Sequence, residues 1–486
     1  MHACRATLQP SMPQATPDSA AAPRTALTSA DAGAALPVSA PRKAAPAATF
    51  LSGSLMRHVL VMAGTGAIGL VAVFAVDLIN LFYISRLGEK EIAAAVGFAG
   101  VVSFFHTSIC IGMMIGITAC VARNIGANCL ADARRLATHS MLIMVGIALV
   151  LGLGTVLVLP ALLAALGATG EVARLAQRYL TVTMPSLPLL GLGMANSALL
   201  RSVGDARRSM VVTLGAAFVT AGLDPLFIFV FGLGLDGAAI VSVISRSVMV
   251  ALGLHGVWRV HHLLGPVERS RFAADARAMA AIAGPAVLTN LATPVGAAFV
   301  THSVAQFGAS AVAGQATIDR VTPVAFGLIY SLSGAVGPIL SQNLGAKQFE
   351  RVRECMRTSM WFMLLAVGAA WLLLALLQEP LIRAFSLEGM AATMVHAFCT
   401  WVCASFFFAG ALFVANAAFN NLGRPLWSTG FNWARATLGT IPFAWWGAHY
   451  GPVQVMAGQG AGLVLFGTLA MLAAVRLTRN LGRDGS

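Results

Sequence analysis

The residues of this chain best suited to chemistry are three aspartates that interrupt long apolar runs. They are Asp77, Asp224 and Asp319, and Asp224 is followed at once by Pro225 in the stretch "AFVTAGLDPLFIF". A carboxylate in the middle of a membrane span costs about 3 kcal/mol on insertion scales, so such groups are functional candidates. Proline removes a helical hydrogen bond and loosens the backbone beside the carboxylate. The pattern suits a site that binds and releases a cation.

The elements that must position these aspartates are membrane-spanning helices. The chain of 486 residues is 58% hydrophobic and only 10% charged, whereas soluble domains carry about 25% charged residues. Apolar segments long enough to cross a bilayer recur from residue 57 onward. The segments lie near 59–84, 92–120, 137–164, 179–199, 209–233, 237–257, 278–304, 311–340, 358–377, 395–419, 428–448 and 453–475. We therefore expect an all-α integral membrane protein with about 12 transmembrane helices.

Asp77 and Asp224 are predicted to lie at similar depth in the bilayer. Asp77 precedes Arg86 by nine residues and Asp224 precedes Gly232 by eight, in spans that both run outward. At 1.5 Å per residue, each is roughly 12–15 Å below the outer surface. Two close carboxyl groups in a low dielectric cannot both ionise at low cost, and burial favours the protonated form. We expect H⁺ as the coupling ion, with Na⁺ at Asp77 and Asp224 as the alternative.

The basic residues indicate orientation rather than a nucleic-acid partner. The net charge of +13 comes largely from loops on one side of the predicted bundle, such as those holding Arg134, Arg207, Arg353 and Arg424. Lys and Arg favour cytoplasmic loops, which predicts that both termini are cytoplasmic. We expect a multi-pass protein of the bacterial inner membrane, a monomer with the lipid bilayer as its environment. The cysteines and histidines show no metal-ligand spacing, and no cofactor is expected.

Two cytoplasmic junctions indicate an internal repeat. "ARNIGANCLADARR" and "SQNLGAKQFERVRE" align with a spacing of 219 residues, from Asn124 to Asn343, and the same spacing places "VGDARRS" on "LGRPLWS". Each half holds six predicted spans, so both halves enter the membrane in the same sense and enclose a central cleft. The predicted organisation is a disordered tail (1–50), an amino-terminal lobe (51–258), a cytoplasmic linker (259–276), a carboxy-terminal lobe (277–478) and a cytoplasmic tail (479–486).

The motifs at these junctions resemble those of the multidrug and toxic compound extrusion (MATE) transporters. They are "VDLINLFYISRLGEKEIAAAVG", "LLRSVGDARRSM", "LDPLFIF", "DGAAIVSVISR" and "SQNLGA", in order over roughly 55–478. The resemblance implies a secondary antiporter that exports lipophilic, mostly cationic compounds against H⁺ or Na⁺. In the branch related to DNA-damage-inducible members, it implies a cation site of Asp77 and Asp224, with Ser242 at a hydroxyl position. Thr220 stands where that branch has Asn.

Other polar residues within the spans are candidates for lining the substrate cavity. They are Asn196, Gln315, Asp319, Arg320, Asn416 and Asn420. Deep acids favour small organic cations as cargo over anions, which gives multidrug efflux by alternating access as the leading function and predicts that the chain is not an enzyme. A flippase for lipid-linked saccharides shares this architecture and stays open. A membrane-embedded transferase is disfavoured, because no catalytic cluster is visible and the duplicated halves would be unexplained.

Overall fold

The computed structural model describes residues 48–86 and 90–482, and within them the chain is a bundle of helices. Short 3₁₀ or π-helical turns follow or precede several of the α-helices. The α-helices are α1 Leu55–Arg86, α2 Lys90–Gly126, α3 Leu130–Ala165, α4 Gly170–Thr183, α5 Leu187–Ser202, α6 Ala206–Pro225, α7 Gly234–Leu254, α8 Arg269–Ala305, α9 Ala309–Ala325, α10 Gly327–Gly345, α11 Phe349–Ala384, α12 Gly389–Thr400, α13 Phe406–Asn421, α14 Pro425–Ala434, α15 Ile441–Ala448 and α16 Pro452–Asn480.

Each predicted span falls on one helix or on a broken pair of helices. By length and composition, nine helices in the described part of the chain can cross a membrane, or ten if the bent pair α9 and α10 forms one span. The predicted span 395–419 falls on α12 and α13, of which the segment Val402–Asn421 is one of the nine. The other two predicted spans fall on the short pairs α4–α5 and α14–α15, which are interrupted at residues 184–186 and 435–440. The membrane-spanning helical fold is thereby confirmed.

Helical structure extends past three of the predicted segment boundaries. Helical structure continues after α7 to Val260 and resumes at Arg269, so the linker between the lobes is shorter than the predicted 259–276. At the amino terminus, the 3₁₀ turn Thr49–Leu51 lies within the predicted tail, because the apolar Phe50 side chain finds a buried site. The remainder of that tail, 1–47, and residues 483–486 lie outside the described residues, whereas α16 extends to Asn480.

The two lobes repeat the same internal contacts. In the amino-terminal lobe, α1–α7, the hydroxyl groups of Ser197 and Ser209 are 2.6 Å apart. In the carboxy-terminal lobe, α8–α16, Ser428 donates to Asn416 Oδ1 at 2.9 Å. Both pairs are related by the spacing of 219 residues, so the repeat seen in the sequence is also a repeat of structure.

The lobes meet closely at the end that holds the α2–α3, α5–α6 and α10–α11 junctions, here called the basic end. A Cβ atom on Gly126 would lie 2.0 Å from the carbonyl oxygen of Gln342, and one on Gly345 would lie 2.0 Å from that of Arg123. The two contacts exchange under the 219-residue spacing. The backbones of α2 and α10 therefore cross at a pseudo-two-fold contact that only glycine permits.

Toward the opposite end, here called the far end, the facing surfaces of the two lobes are less well covered by each other. On α1, Gly66 packs on Ser331 of α10, while on α2, Gly112 packs on Val287 of α8. Phe105 lies two turns from Gly112 on the same face of α2 and is 49% exposed. The lobes are therefore in close backbone contact at the basic end, and Phe105 on α2 is left exposed toward the far end.

Candidate functional site

Asp224 is the most deeply buried acid within the membrane spans of the described structure. It is 1% exposed, and neither carboxyl oxygen has a hydrogen-bond partner. Directly after Pro225 the helix continues as the π-helical turn Leu226–Val230, in which Phe231 N donates to the carbonyl of Leu226 at 2.9 Å. Such turns are frequent at functional sites. An unpartnered ionised carboxylate is costly to bury, so this position suits a group that holds a proton or a bound cation.

Helix α1 packs along α6 through two contacts that bracket Asp224. Gly69 lies against Thr213, and the ring of Tyr83 contacts Phe229 edge-on with a centroid distance of 5.8 Å. Asn80 lies eleven residues after Gly69, about three helical turns, and so shares the face of α1 that is turned toward α6. Its Oδ1 is buried and has no hydrogen-bond partner. Asn80 is therefore a further candidate for the site, and nothing in the sequence singles it out.

Asp77 lies three residues before Asn80 and about 60° around α1 from it. It lies eleven residues after Gly66, whose contact is Ser331 of the carboxy-terminal lobe, and its side chain is exposed. It therefore faces the space between the lobes beyond their last close contact on α1. Asp77 and Asp224 are at similar heights on adjacent helices, but the side chain of Asp77 is exposed and that of Asp224 is buried.

The hydroxyl groups beside this site form a link between α6 and α7. Thr220 donates to Ser245 Oγ at 3.0 Å, and Ser245 is bonded to the carbonyl of Ala216 at 2.9 Å. Ser242 donates to the carbonyl of Ala238 in its own helix. The structure thus joins Thr220 to Ser245, one turn from Ser242, and the sequence alone gives no signal that separates the two serines.

Arg246 on α7 has a structural partner that sequence could not identify. Its Nη1 donates to the carbonyl of Thr183 and to Ser186 Oγ, each at 2.6 Å. These groups flank the break between α4 and α5, where helical carbonyls lack intrahelical partners. Arg246 therefore holds this broken span against α7.

The carboxy-terminal lobe holds a second group of charged residues within its membrane spans. Asp319 and Arg320 are exposed on α9, and Asp319 accepts from Gln315 Nε2 at 2.9 Å. Tyr330 of α10 is 38% exposed and interacts electrostatically with both Asp319 and Arg435. Arg435 begins a π-helical turn and donates only to Thr293 Oγ1 at 3.5 Å, without an ion pair among the described residues. The group combines both signs of charge with aromatic surface.

Three of the predicted cavity residues are buried inside the lobes. Asn196 is packed against Gly253, and neither end of its amide has a partner. Asn416 accepts from Ser428 and Asn432, while Asn420 is buried with a partnerless Oδ1. In this conformation these amides lie away from the space between the lobes.

The family model that matches this chain is MatE, and it matches twice, over residues 67–226 and 285–446. The two matches cover most of both lobes. The chain belongs to the MATE family. Members of this family are membrane transporters associated with multidrug efflux, and not enzymes. The fold, the repeat and the resemblance of the motifs are therefore confirmed.

Two relatives illustrate the range of this MATE chain's neighbours. A Shewanella oneidensis protein named FAD transporter is 30% identical over 413 residues, which cover 83% of this chain and 90% of the relative. A Bacillus subtilis protein named probable multidrug resistance protein YoeA is 22% identical over 395 residues, covering 78% of this chain and 84% of the relative.

Solved structures of MATE transporters share the fold. The Vibrio cholerae MATE transporter VcmN matches with a TM-score of 0.84 and 24% identity, over 88% of this chain and 98% of that one. A MATE family transporter described as outward-facing matches with a TM-score of 0.85 and 19% identity, over 90% of this chain and 98% of that one.

Proposed function

We propose that this chain is a secondary antiporter that exports small organic compounds from the cytoplasm in exchange for H⁺. The basic end would face the cytoplasm of a bacterial inner membrane, with both termini cytoplasmic, in accordance with the charge of its loops. The lobes rock between a state open at the far end and a state open at the basic end, which is the motion expected of a carrier with parallel repeats.

The observation that supports this proposal is the buried, unpartnered carboxyl group of Asp224. With the Oδ1 of Asn80 on the facing side of α1, it supplies oxygen atoms that suit a proton or Na⁺. Asp77, at the mouth of the cleft, provides a negative charge on the route between this site and the far end. We favour H⁺, because a carboxyl group without partners is stable when it carries a proton.

The proposed cargo is a lipophilic organic cation, attracted by Asp77 and Asp319. A second candidate is a flavin nucleotide or a related anionic aromatic compound, since the Shewanella oneidensis relative is named FAD transporter. One feature of the cleft favours this candidate: Arg435 has no ion-pair partner in the described structure and lies in electrostatic range of the Tyr330 ring. A guanidinium group and an aromatic ring are suited to a phosphate and a flat ring system.

Transport by the purified protein in proteoliposomes tests the coupling. An imposed pH gradient or an imposed Na⁺ gradient is applied to wild type and to the Asp224→Asn and Asp77→Asn variants. We expect the pH gradient alone to drive transport by wild type, Asp224→Asn to abolish that coupling, and Asp77→Asn to reduce it. Asp236→Asn is the matched control, because Asp236 pairs with Arg178 at the start of α7. A strict requirement for Na⁺, or normal coupling by Asp224→Asn, would contradict the proposal.

The same vesicles separate the two cargo classes. Ethidium is used as the cationic probe and FAD as the anionic one, each with an Arg435→Gln variant. Transport of ethidium that is indifferent to Arg435→Gln supports the cationic cargo. Transport of FAD that is lost in Arg435→Gln, with ethidium excluded, would replace that assignment by the second candidate.

A further inference from the structure

A short segment before α1 lies between the two lobes at the basic end. It is the 3₁₀ turn Thr49–Leu51, and the side chain of Phe50 is 1% exposed. Phe50 belongs to the apolar core of the carboxy-terminal lobe, together with Leu55 and Val59 at the start of α1. The chain that leads into the amino-terminal lobe is thus anchored in the opposite lobe.

Polar side chains of the carboxy-terminal lobe bind the backbone of this segment. Phe50 N donates to Gln342 Oε1 at 3.0 Å, and the carbonyl of Phe50 accepts from Asn343 Nδ2 at 3.3 Å and from Arg351 Nη2 at 3.1 Å. All of these groups are at least partly buried. A buried backbone group that loses such a partner is costly, so the segment is held specifically.

The same segment also binds the amino-terminal lobe. Thr49 Oγ1 donates to the carbonyl of Val203 at 2.9 Å, and Thr49 lies against Gly204, where a Cβ atom would come within 2.9 Å. Gln342 completes the connection, since its Nε2 donates to the carbonyl of Ser202 at 2.7 Å. One amide side chain therefore joins Phe50, its own helix α10 and the α5–α6 junction.

The two lobes are related by pseudo-two-fold symmetry at the basic end, and the contacts of the Phe50 segment have no counterpart under that symmetry. Arg123 and Gln342 are equivalent positions, and each donates to a carbonyl at the end of a helix in the other lobe, Arg123 to Asn421 and Gln342 to Ser202. The position equivalent to Phe50 is Arg269, which is exposed at the start of α8. Closure therefore has a symmetric part and, on one side only, the Phe50 segment.

We propose that Thr49–Leu51 is a latch that keeps the basic end closed, with Phe50 and Gln342 as its positioning residues. Opening of the basic end requires Phe50 to leave its site in the carboxy-terminal lobe or Thr49 to leave Val203. The latch thereby favours the state open at the far end and slows entry of cargo from the cytoplasmic side. This inference rests on alternating access, a part of the proposed function, but on no particular ion or cargo.

The native thiol of Cys120 reports the opening. Cys120 lies on α2 at the contact with α8, with Sγ 3.9 Å from the carbonyl of Ala278. Cys120 is half-buried in this structure, and separation of the lobes at the basic end would expose it further. Purified protein is treated with N-ethylmaleimide without cargo, and modification of each cysteine is followed by peptide mass spectrometry.

We expect Phe50→Ala to raise the modification rate of Cys120 by about tenfold or more, because a large buried ring stabilises only one of the two states. Phe50→Leu should restore a rate near that of wild type. Gln342→Met, which keeps the shape but removes both hydrogen bonds, should also raise the rate. Phe385→Ala makes the same substitution at an exposed phenylalanine that follows α11 at the far end, and this control should change nothing.

The outcomes separate this proposal from the proposed function. A wild-type Cys120 rate in both Phe50→Ala and Gln342→Met, in protein that retains its thermal stability, would overturn the latch even if transport is proton-driven. Faster modification in both variants, with Cys355 and Cys399 still protected, supports the latch even if transport proves to depend on another ion. Equal acceleration at Cys120, Cys355 and Cys399 would mean general unfolding and would also overturn it.

Discussion

At the level of single residues, the structure places Asp77 and Asp224 in different environments, although the sequence predicts that they form one pair. Asp224 is enclosed in the amino-terminal lobe, and Asp77 is exposed toward the cleft. In the proposed antiporter, the buried carboxyl group of Asp224 would bind the coupling ion, and the exposed carboxylate of Asp77 would attract ions and cationic cargo from the far end. The residue that shares the buried environment is the neutral Asn80.

The first prediction concerns Asn80. Asn80→Leu removes the unpartnered Oδ1 that faces α6 and should weaken binding of the coupling ion by about tenfold, as expected for one lost polar contact in a buried site. The measurement is the dependence of transport rate on the external concentration of the ion. An unchanged dependence in Asn80→Leu would show that only Asp224 and Asp77 hold the ion.

The sequence predicts Asp77 and Asp224 for this site and, through the family resemblance, Thr220 and Ser242, but it gives no indication of Asn80 or Ser245. A carboxyl group in an apolar run is conspicuous in any sequence, whereas Asn80, Ser242 and Ser245 are ordinary polar residues whose roles depend on which face of a helix meets which neighbour. That choice is fixed by glycines such as Gly66 and Gly69 and their partners on other helices. Such pairings between helices distant in sequence become visible only in the folded molecule.

At the level of elements, the start of α6 is fixed by the N-cap residue Asp205. Its Oδ1 accepts from Arg208 N at 3.0 Å, and its Oδ2 lies 2.8 Å from His261 Nε2 and also pairs with the Arg208 side chain. Burial alone would raise the pKa of Asp205, but the hydrogen bonds from His261 and Arg208 outweigh it and hold the pKa below its ordinary value. The ionised carboxylate therefore stabilises the α5–α6 junction.

The second prediction follows from this cap. Asp205→Ala should lower the stability of the protein by about 1 kcal/mol, and Asp205→Asn by less, because Asn still caps the helix. Since the folded-state pKa is lowered, the contribution is complete above the ordinary Asp value of 3.8 and is lost as the pH falls below it. Melting temperatures in detergent at pH 7 and below pH 4 check this: the difference between wild type and Asp205→Ala should shrink in acid. A difference that grows in acid would contradict the assignment.

The third prediction concerns the crossing of α2 and α10. Gly126→Ala and Gly345→Ala each place a Cβ 2.0 Å from a carbonyl oxygen of the other lobe. Overpacking of this kind costs about 1–3 kcal/mol, so both variants should open the basic end and speed modification of Cys120. Gly368→Ala on α11 is the control, because a Cβ there has nothing within 4 Å. If Cys120 is modified no faster in either variant than in Gly368→Ala, the crossing of α2 and α10 does not require glycine at that position.

The spans of these elements were predictable, whereas their interruptions were not. Hydropathy identifies long apolar segments well, and the predicted spans all fall on helices or broken helices. The breaks between α4 and α5, between α9 and α10, and between α12 and α13 depend on tertiary partners. Arg246 donates a hydrogen bond at the break between α4 and α5. Phe326, whose ring stacks on that of Phe406 with a centroid distance of 4.1 Å, lies at the break between α9 and α10. A hydropathy profile contains no information on such partners.

At the level of the whole molecule, the chain is a transporter with two repeated lobes that is closed at the basic end. The 219-residue spacing, visible in two short motifs, extends to hydrogen bonds inside each lobe and to the contacts between lobes. The latch at Phe50 breaks this symmetry, and the sequence placed that residue in a featureless tail. A single aromatic residue at the edge of a low-complexity segment gave too little signal to predict its burial.

The most direct test of the account is whether cargo displaces a proton from Asp224. Ethidium, and FAD in parallel, is added at saturating concentration to the purified protein in weakly buffered detergent solution, and the pH is recorded. The account predicts release of about one proton per bound cargo molecule by wild type, with or without Na⁺, and none by Asp224→Asn. Equal proton release by Asp224→Asn, or binding of either cargo that displaces Na⁺ and no proton, would contradict it.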